Sequence, residues 1–144
     1  MSVPPSLRAF DPARDHAAVV TLWTEVLGYT SAHNAPELSI RKKIEMNDGL
    51  FFVAEAGGRL LGTVMAGYDG HRGWIYSLAV DATFRNQGVG RALLRRAEAG
   101  LLERGCVKIN LQIGDGNEAV AGFYEKMGYR VEPRTSMGKI LPPG

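Results

Sequence analysis

Six consecutive residues, Arg85-Asn86-Gln87-Gly88-Val89-Gly90, stand between an apolar run and an amphipathic one. If the second run is a helix, its start carries unpaired N–H groups and a partial positive charge. Glycines at that point let an anion reach the amides without meeting a side chain. Arg85 and Arg91 flank the turn and can add charge-assisted hydrogen bonds. The chemistry suits a pyrophosphate. Two familiar phosphate loops are excluded. The dinucleotide fingerprint needs a third glycine, and Leu93 stands at that place. No Gly-x-x-x-x-Gly-Lys-Ser/Thr string occurs in the chain. Taken alone, the six residues also fit a loop that is merely glycine-rich.

A phosphate turn needs a strand before it and a helix after it. The run at residues 74–80 is apolar and rich in β-branched and aromatic types, as a strand requires. Leu93, Leu94, Ala97 and Leu101 recur at helical spacing, so the spacing predicts a helix over about residues 88–104 with Gly105 just past its end. Val107, Ile109, Leu111 and Ile113 then alternate with polar residues, the pattern of a half-buried strand. Strand, helix and strand in that order imply a parallel pair with a crossover helix. Asn117 is suited to cap a further helix, ended by Gly128.

The remaining elements read as a frame for this unit. Residues 7–10 form a short first strand, and Asp11-Pro12 is a helix start. Val19, Leu22, Trp23, Val26 and Leu27 give that helix one apolar face, and Gly28 ends it. Pro36 opens a second helix to about Asn47, with Leu38, Ile40, Ile44 and Met46 as its apolar side. Residues 50–56 and 59–68 read as strands joined at Gly57-Gly58, a pair that can take the positive φ of a two-residue hairpin loop. With residues 74–80 they make an antiparallel meander. Two terminal strands are expected near residues 129–132 and 136–141.

Bulk properties narrow the function classes. The chain of 144 residues fits a single domain, residues 1–144. It is 45% hydrophobic and 22% charged, near the soluble globular average. A net charge of +2 with scattered basic residues argues against nucleic acid. One cysteine, Cys106, can form no internal disulfide or multi-cysteine zinc site, and reads as a small core residue. The three histidines have no metal-ligand spacing, so no metal is expected. No run approaches the ~18–20 apolar residues that span a bilayer, and residues 1–6 show no signal-peptide pattern. A cytoplasmic protein without membrane contact is the expectation.

The turn and its surroundings resemble the GNAT superfamily of acetyl-coenzyme A-dependent N-acetyltransferases. That family's cofactor motif, Arg/Gln-x-x-Gly-x-Gly/Ala between a strand and a helix, is met in full by residues 85–90. Its second signature is similar to Asn117, Ala121 and Phe123-Tyr124-Glu125-Lys126-Met127-Gly128-Tyr129. The segment at residues 62–73 further resembles the bacterial YpeA-type subgroup. The resemblance implies an α+β fold with a mixed, mostly antiparallel sheet of roughly six to seven strands and about four helices. It also implies that the parallel pair splays at the cofactor.

Carried over residue by residue, the resemblance puts the main-chain groups of Leu78 and Val80 on the pantetheine arm, with Ala79 between them. It puts the pyrophosphate on Arg85, Asn86, Gln87, Gly88, Val89, Gly90 and Arg91, with Asn117, Phe123 and Tyr124 completing the cofactor site. It implies transfer of an acetyl group to an amine of a small molecule or a protein by direct attack, with Tyr124 as the catalytic residue at the leaving sulfur. A homodimer through terminal strands is implied too. The family's acidic base on the fourth strand has no counterpart, because Trp74 takes its place. Asp69, His71, Glu55 or a water chain are the alternatives. The missing acid also leaves open a non-catalytic acyl-coenzyme A sensor or a structural module of the same fold.

Overall fold

Asp11 has the extended backbone of a helix cap, and its carboxylate accepts from the amides of Ala13 and Arg14. From that cap the computed structural model, which describes residues 5–29, 31–114 and 116–142, follows most of the expected order. The elements are β1 (Ser6–Ala9), α1 (Pro12–Val26), α2 (Pro36–Met46), β2 (Phe51–Ala56), β3 (Arg59–Tyr68), β4 (Gly73–Val80), α3 (Val89–Glu103), β5 (Ile109–Leu111) and α4 (Ala121–Lys126). The strands lie in chain order in one sheet. All neighbours are antiparallel except β4 and β5, which are parallel. Gly57 and Gly58 both take positive φ in the β2–β3 turn, as an L-residue with a side chain could not do cheaply.

The chain divides into two compact units, Met1–Leu111 and Gln112–Gly144. In the first, the apolar stripe of α1 and Ile40 of α2 pack on one face of the sheet against Phe51, Val53, Met65 and Ala79. The stripe of α3 packs on the other face, with Leu93, Leu94, Ala97 and Leu101 fully buried. Two glycines let α3 and the sheet come this close. A Cβ on Gly62 would lie 3.0 Å from Leu93, and one on Gly73 would lie 2.9 Å from Leu101. Cys106 is buried as a small core residue. In the second unit, a 3₁₀ turn at Glu118–Val120 leads into α4.

The sheet has five strands among the described residues, fewer than expected. Residues 129–132 and 136–141 carry none. Alternating side chains make a strand only where a ladder partner and a buried face exist. Here Val131, Met137, Ile140 and Leu141 are all exposed, and Pro133 removes a donor between them. For the same reason β5 keeps only its centre, and Val107 lies outside it, exposed. Asn117 caps nothing with its side chain, because the 3₁₀ turn intervenes before the α-helix begins. On α2, Ile44 and Met46 face solvent while Lys43 is buried, its ammonium donating to Asp48 and to the Ala66 carbonyl.

A charged cluster ties β1, α1 and β2 together. Arg8 donates to both oxygens of Asp15, at 2.7 and 2.8 Å, and to both of Glu55, at 3.0 and 3.1 Å. The Arg8 guanidinium is the main cause that holds the buried Asp15 carboxyl below its ordinary pKa, against the opposing effect of burial. Removing one partner of such a pair strands the other. Asp15→Ala is expected to cost about 3 kcal/mol, read from urea unfolding at neutral pH. A depressed carboxyl pKa stabilises the fold above the unfolded-state value. That contribution should fade as pH falls below about 4 and through the folded-state pKa. Asp15→Asn should flatten the acid limb of the stability curve, and an unchanged limb would remove Asp15 from the account.

Candidate active site

The expected phosphate turn is built as its residue types require. Asn86 and Gly88 both have left-handed backbones, with φ of 62° and 83°. Gly88 is the residue before α3, and its carbonyl accepts the first helical bond, from Ala92. The amides of Val89, Gly90 and Arg91 therefore have no acceptor within the helix. Gly88 is exposed, and a side chain there would meet nothing within 4 Å. The site is thus open to solvent, with Arg85 and Arg91 both exposed beside it. Three free amides, a helix dipole and two guanidinium groups suit a pyrophosphate. Val89 does a different job from its neighbours: its side chain is buried in the core.

The second part of the site is the strand that delivers the chain to this turn. β4 pairs with β5 only at Gly73, Trp74 and Ile75. From Tyr76 to Val80 it has β3 on one side and no β5 residue on the other. The register to β3 also breaks here. Thr63 opposes Ala79 while Met65 opposes Tyr76, so one residue of β3 faces two of β4. This is a β-bulge, and Ser77 within it has a left-handed backbone with φ of 51°.

The bulge swaps the strand's alternation. Before it, Gly73 turns its amide to Lys108, on the β5 side. After it, Ala79 pairs with Thr63, and the Asp81 amide donates to Leu61 of β3 at 2.8 Å. Alternation then turns the N–H and C=O groups of Leu78 and Val80 outward, to the unpaired edge. A regular strand would have turned Ser77 and Ala79 outward instead. Nothing in the residue types at 74–80 distinguishes the two cases.

Buried hydrogen bonds hold the bulge. Thr63 is fully buried, and its hydroxyl accepts from the Trp23 indole N–H at 2.8 Å and donates to the Ser77 carbonyl at 2.9 Å. The Ser77 hydroxyl lies 3.1 Å from that of Tyr29, in the loop after α1. Tyr29 in turn packs edge-on against Trp23. Trp74 and Tyr76 are partly exposed on the same strand, before the bulge.

The acidic groups near this strand are committed elsewhere. Glu55 is held below its ordinary pKa chiefly by Arg8. Asp69 accepts from the amides of Arg72 and His71, both at 2.7 Å, and these bonds lower its pKa. Both carboxylates serve turns or ion pairs. His71 is exposed in the same turn. Among the described residues no group of three or more His, Cys, Asp or Glu side chains is placed to hold a metal ion. No helix among them is long and apolar enough to cross a membrane.

In the second unit, Tyr124 packs edge-on against Phe123 and Tyr129. Burial pushes its phenol up to about 12. Asn117 is exposed.

Comparison with known proteins agrees with this architecture. The chain is 44% identical over 127 residues to an acetyltransferase of Pectobacterium atrosepticum, covering 88% of this chain and 89% of the relative. Its fold is that of the PaiA N-acetyltransferase from Thermoplasma acidophilum, solved in complex with coenzyme A. That likeness has a TM-score of 0.78 at 18% identity and covers 92% of this chain and 94% of that one. Ard1 from Thermoplasma volcanium superposes with a TM-score of 0.77 at 25% identity, over 90% and 85% of the two chains. Residues 11–129, which include both the glycine turn and the Asn117–Tyr129 segment, match the acetyltransferase (GNAT) family, and the chain belongs to that family.

Proposed function

We propose that the chain acts as one domain, residues 1–144, and moves an acetyl group from acetyl-coenzyme A to a primary amine in the cytoplasm. The observation that carries this reading is the conjunction at β4. An unpaired strand edge at Leu78 and Val80 is followed, after a 3₁₀ turn at Ala82–Phe84, by a turn with three free amides. A pantetheine arm has amide groups that can pair with such an edge, and the pyrophosphate that follows it needs such a turn. Acetyl-coenzyme A supplies the thioester as an activated acyl group. Leu78 and Val80 hold the arm by main-chain hydrogen bonds, while the amides of Val89, Gly90 and Arg91 and the side chains of Arg85 and Arg91 hold the phosphates. Ala79, Asn86, Gln87, Asn117 and Phe123 are assigned supporting contacts by their match to the family's motifs.

Tyr124 is assigned to the leaving sulfur. Its raised pKa changes the form of that role. A phenol near 12 lies about 3.5 units above a thiol at ~8.5, so full proton transfer would be uphill by about 5 kcal/mol. Tyr124 therefore acts as a hydrogen-bond donor to the thiolate. Burial also keeps the phenol neutral, and so a donor, at every pH up to about 11. The amine proton is assigned to solvent, because their own partners lower the pKa of Glu55 and Asp69 and make both carboxylates weak bases. That last observation also supports a second reading, an acyl-coenzyme A sensor that binds without turnover.

Calorimetric titration with acetyl-coenzyme A tests the cofactor, and thiol release across a panel of small amines and peptides separates enzyme from sensor. Absence of binding would remove both readings. Gly90→Glu is expected to weaken binding about 100-fold or more, since it sets a carboxylate against the pyrophosphate. The fold should survive, because an acidic side chain in the first helical turn is stabilising by about 0.3–1 kcal/mol. Affinity within a few-fold of wild type would move the phosphate site elsewhere.

Tyr124→Phe is expected to lower turnover by about 10- to 100-fold while changing acetyl-coenzyme A affinity little. The wild-type rate should show no alkaline loss from Tyr124 below about pH 11. Equal turnover in the two proteins would dismiss the tyrosine.

A further inference from the structure

We infer that Thr63 is a positioning residue: by anchoring the Ser77 carbonyl it sets which main-chain groups β4 presents to the pantetheine arm. The inference rests on the reading of Leu78 and Val80 as the cofactor edge. Three side chains among the described residues are both polar and buried, namely Asp15, Lys43 and Thr63. The first two are ion-paired. Thr63 is the uncharged one, it lies in the middle of β3, and it faces the apolar core formed with α1. A valine would fill that space without a hydroxyl to satisfy. The hydroxyl is instead used on both sides, as acceptor to Trp23 and donor to Ser77.

The bond to Ser77 bears on the one strained residue of β4. A left-handed backbone at a non-glycine residue is unfavourable in isolation and persists where its surroundings hold it. Thr63 reaches the carbonyl of that residue from the neighbouring strand. If the bulge relaxed into a regular strand, the parity of residues 78–80 would invert. Ala79 would turn its amide and carbonyl to the open edge, and Leu78 and Val80 would turn theirs to β3. The phosphate turn, with left-handed residues at Asn86 and Gly88, has its own geometry at the start of α3. The arm and the phosphates are thus held by separable parts of the chain, and Thr63 acts on only one of them.

Two ligands read those parts separately. Acetyl-coenzyme A uses both, whereas 3′-phosphoadenosine 5′-diphosphate carries the pyrophosphate without the arm. Calorimetry on the full chain should show that Thr63→Val weakens acetyl-coenzyme A by about tenfold or more, the worth of one or two main-chain hydrogen bonds. Affinity for 3′-phosphoadenosine 5′-diphosphate should stay within about twofold, and Thr63→Ser, which keeps the hydroxyl, should restore acetyl-coenzyme A binding to within about threefold.

Should Thr63→Val fail to fold, the Trp23→Phe/Thr63→Val double variant removes the stranded indole donor while still leaving Ser77 unanchored, and the same split is expected of it. Equal loss of both ligands would reduce Thr63 to a structural residue and overturn the inference. So would loss of neither, or a serine variant no better than valine. Failure of the wild-type chain to bind acetyl-coenzyme A would instead overturn the cofactor reading beneath it.

Discussion

The Thr63 hydroxyl, set between the Trp23 indole and the Ser77 carbonyl, is the contact on which the site's geometry turns. It joins α1, β3 and β4 through one buried oxygen. Because the hydroxyl is satisfied as both donor and acceptor, its burial carries little desolvation cost. It holds a one-residue bulge whose effect exceeds its size. A slip of one residue inverts both the side-chain faces and the main-chain directions of a strand. Ala79 is thereby placed in the core beside Trp23 and Val19, and the polar groups of Leu78 and Val80 are left on the unpaired edge.

That edge is useful because β5 stops early. A parallel ladder of three residue pairs is enough to fix the strand's direction and to bring Cys106 and Leu101 under Gly73. Had β5 continued alongside β4, the main-chain groups of Leu78 and Val80 would have been consumed within the sheet. The phosphate turn obeys the same economy of backbone groups. The start of α3 offers amides that the helix itself does not use, and positive φ at Gly88 lets the turn reach them at no side-chain cost. Both halves of the proposed cofactor site are therefore made of main chain. The protein's few buried charges are spent on the frame, in the Arg8–Asp15–Glu55 cluster and at Lys43, rather than on the site.

This division bears on the chemistry. Acetyl transfer needs a neutral amine and a stabilised leaving sulfur. A carboxylate that is to act as a base near neutral pH must have its pKa raised, by burial or by a like charge. Glu55 and Asp69 are pushed the opposite way, by a guanidinium and by backbone amides. Tyr124 is pushed up by burial, which removes it as an acid of matched strength and leaves it as a hydrogen-bond donor. In the proposed reaction the chain orients the reactants and stabilises the leaving group.

Much of this was legible in the residue string. Short-range chemistry determined the Asp11 cap, the Gly57-Gly58 hairpin, the left-handed residue past α3 and the glycine turn, because each depends on one or two residues and their immediate neighbours. Helical spacing determined the buried stripe of α3. The two motifs at residues 85–90 and 117–129 pointed to the family. Tertiary structure alone decided the bulge at Ser77, since the bond that holds it comes from Thr63, 14 residues earlier, whose hydroxyl accepts in turn from Trp23 on another element. It decided the length of β5 and the absence of strands over residues 129–142, because alternating side chains become a strand only against a partner. It turned Lys43 inward where helical periodicity favoured Ile44, because Asp48 and the Ala66 carbonyl were there to receive the charge. Local sequence sets what a segment is able to be, and a hydrogen bond between distant residues decides which of those states the chain takes.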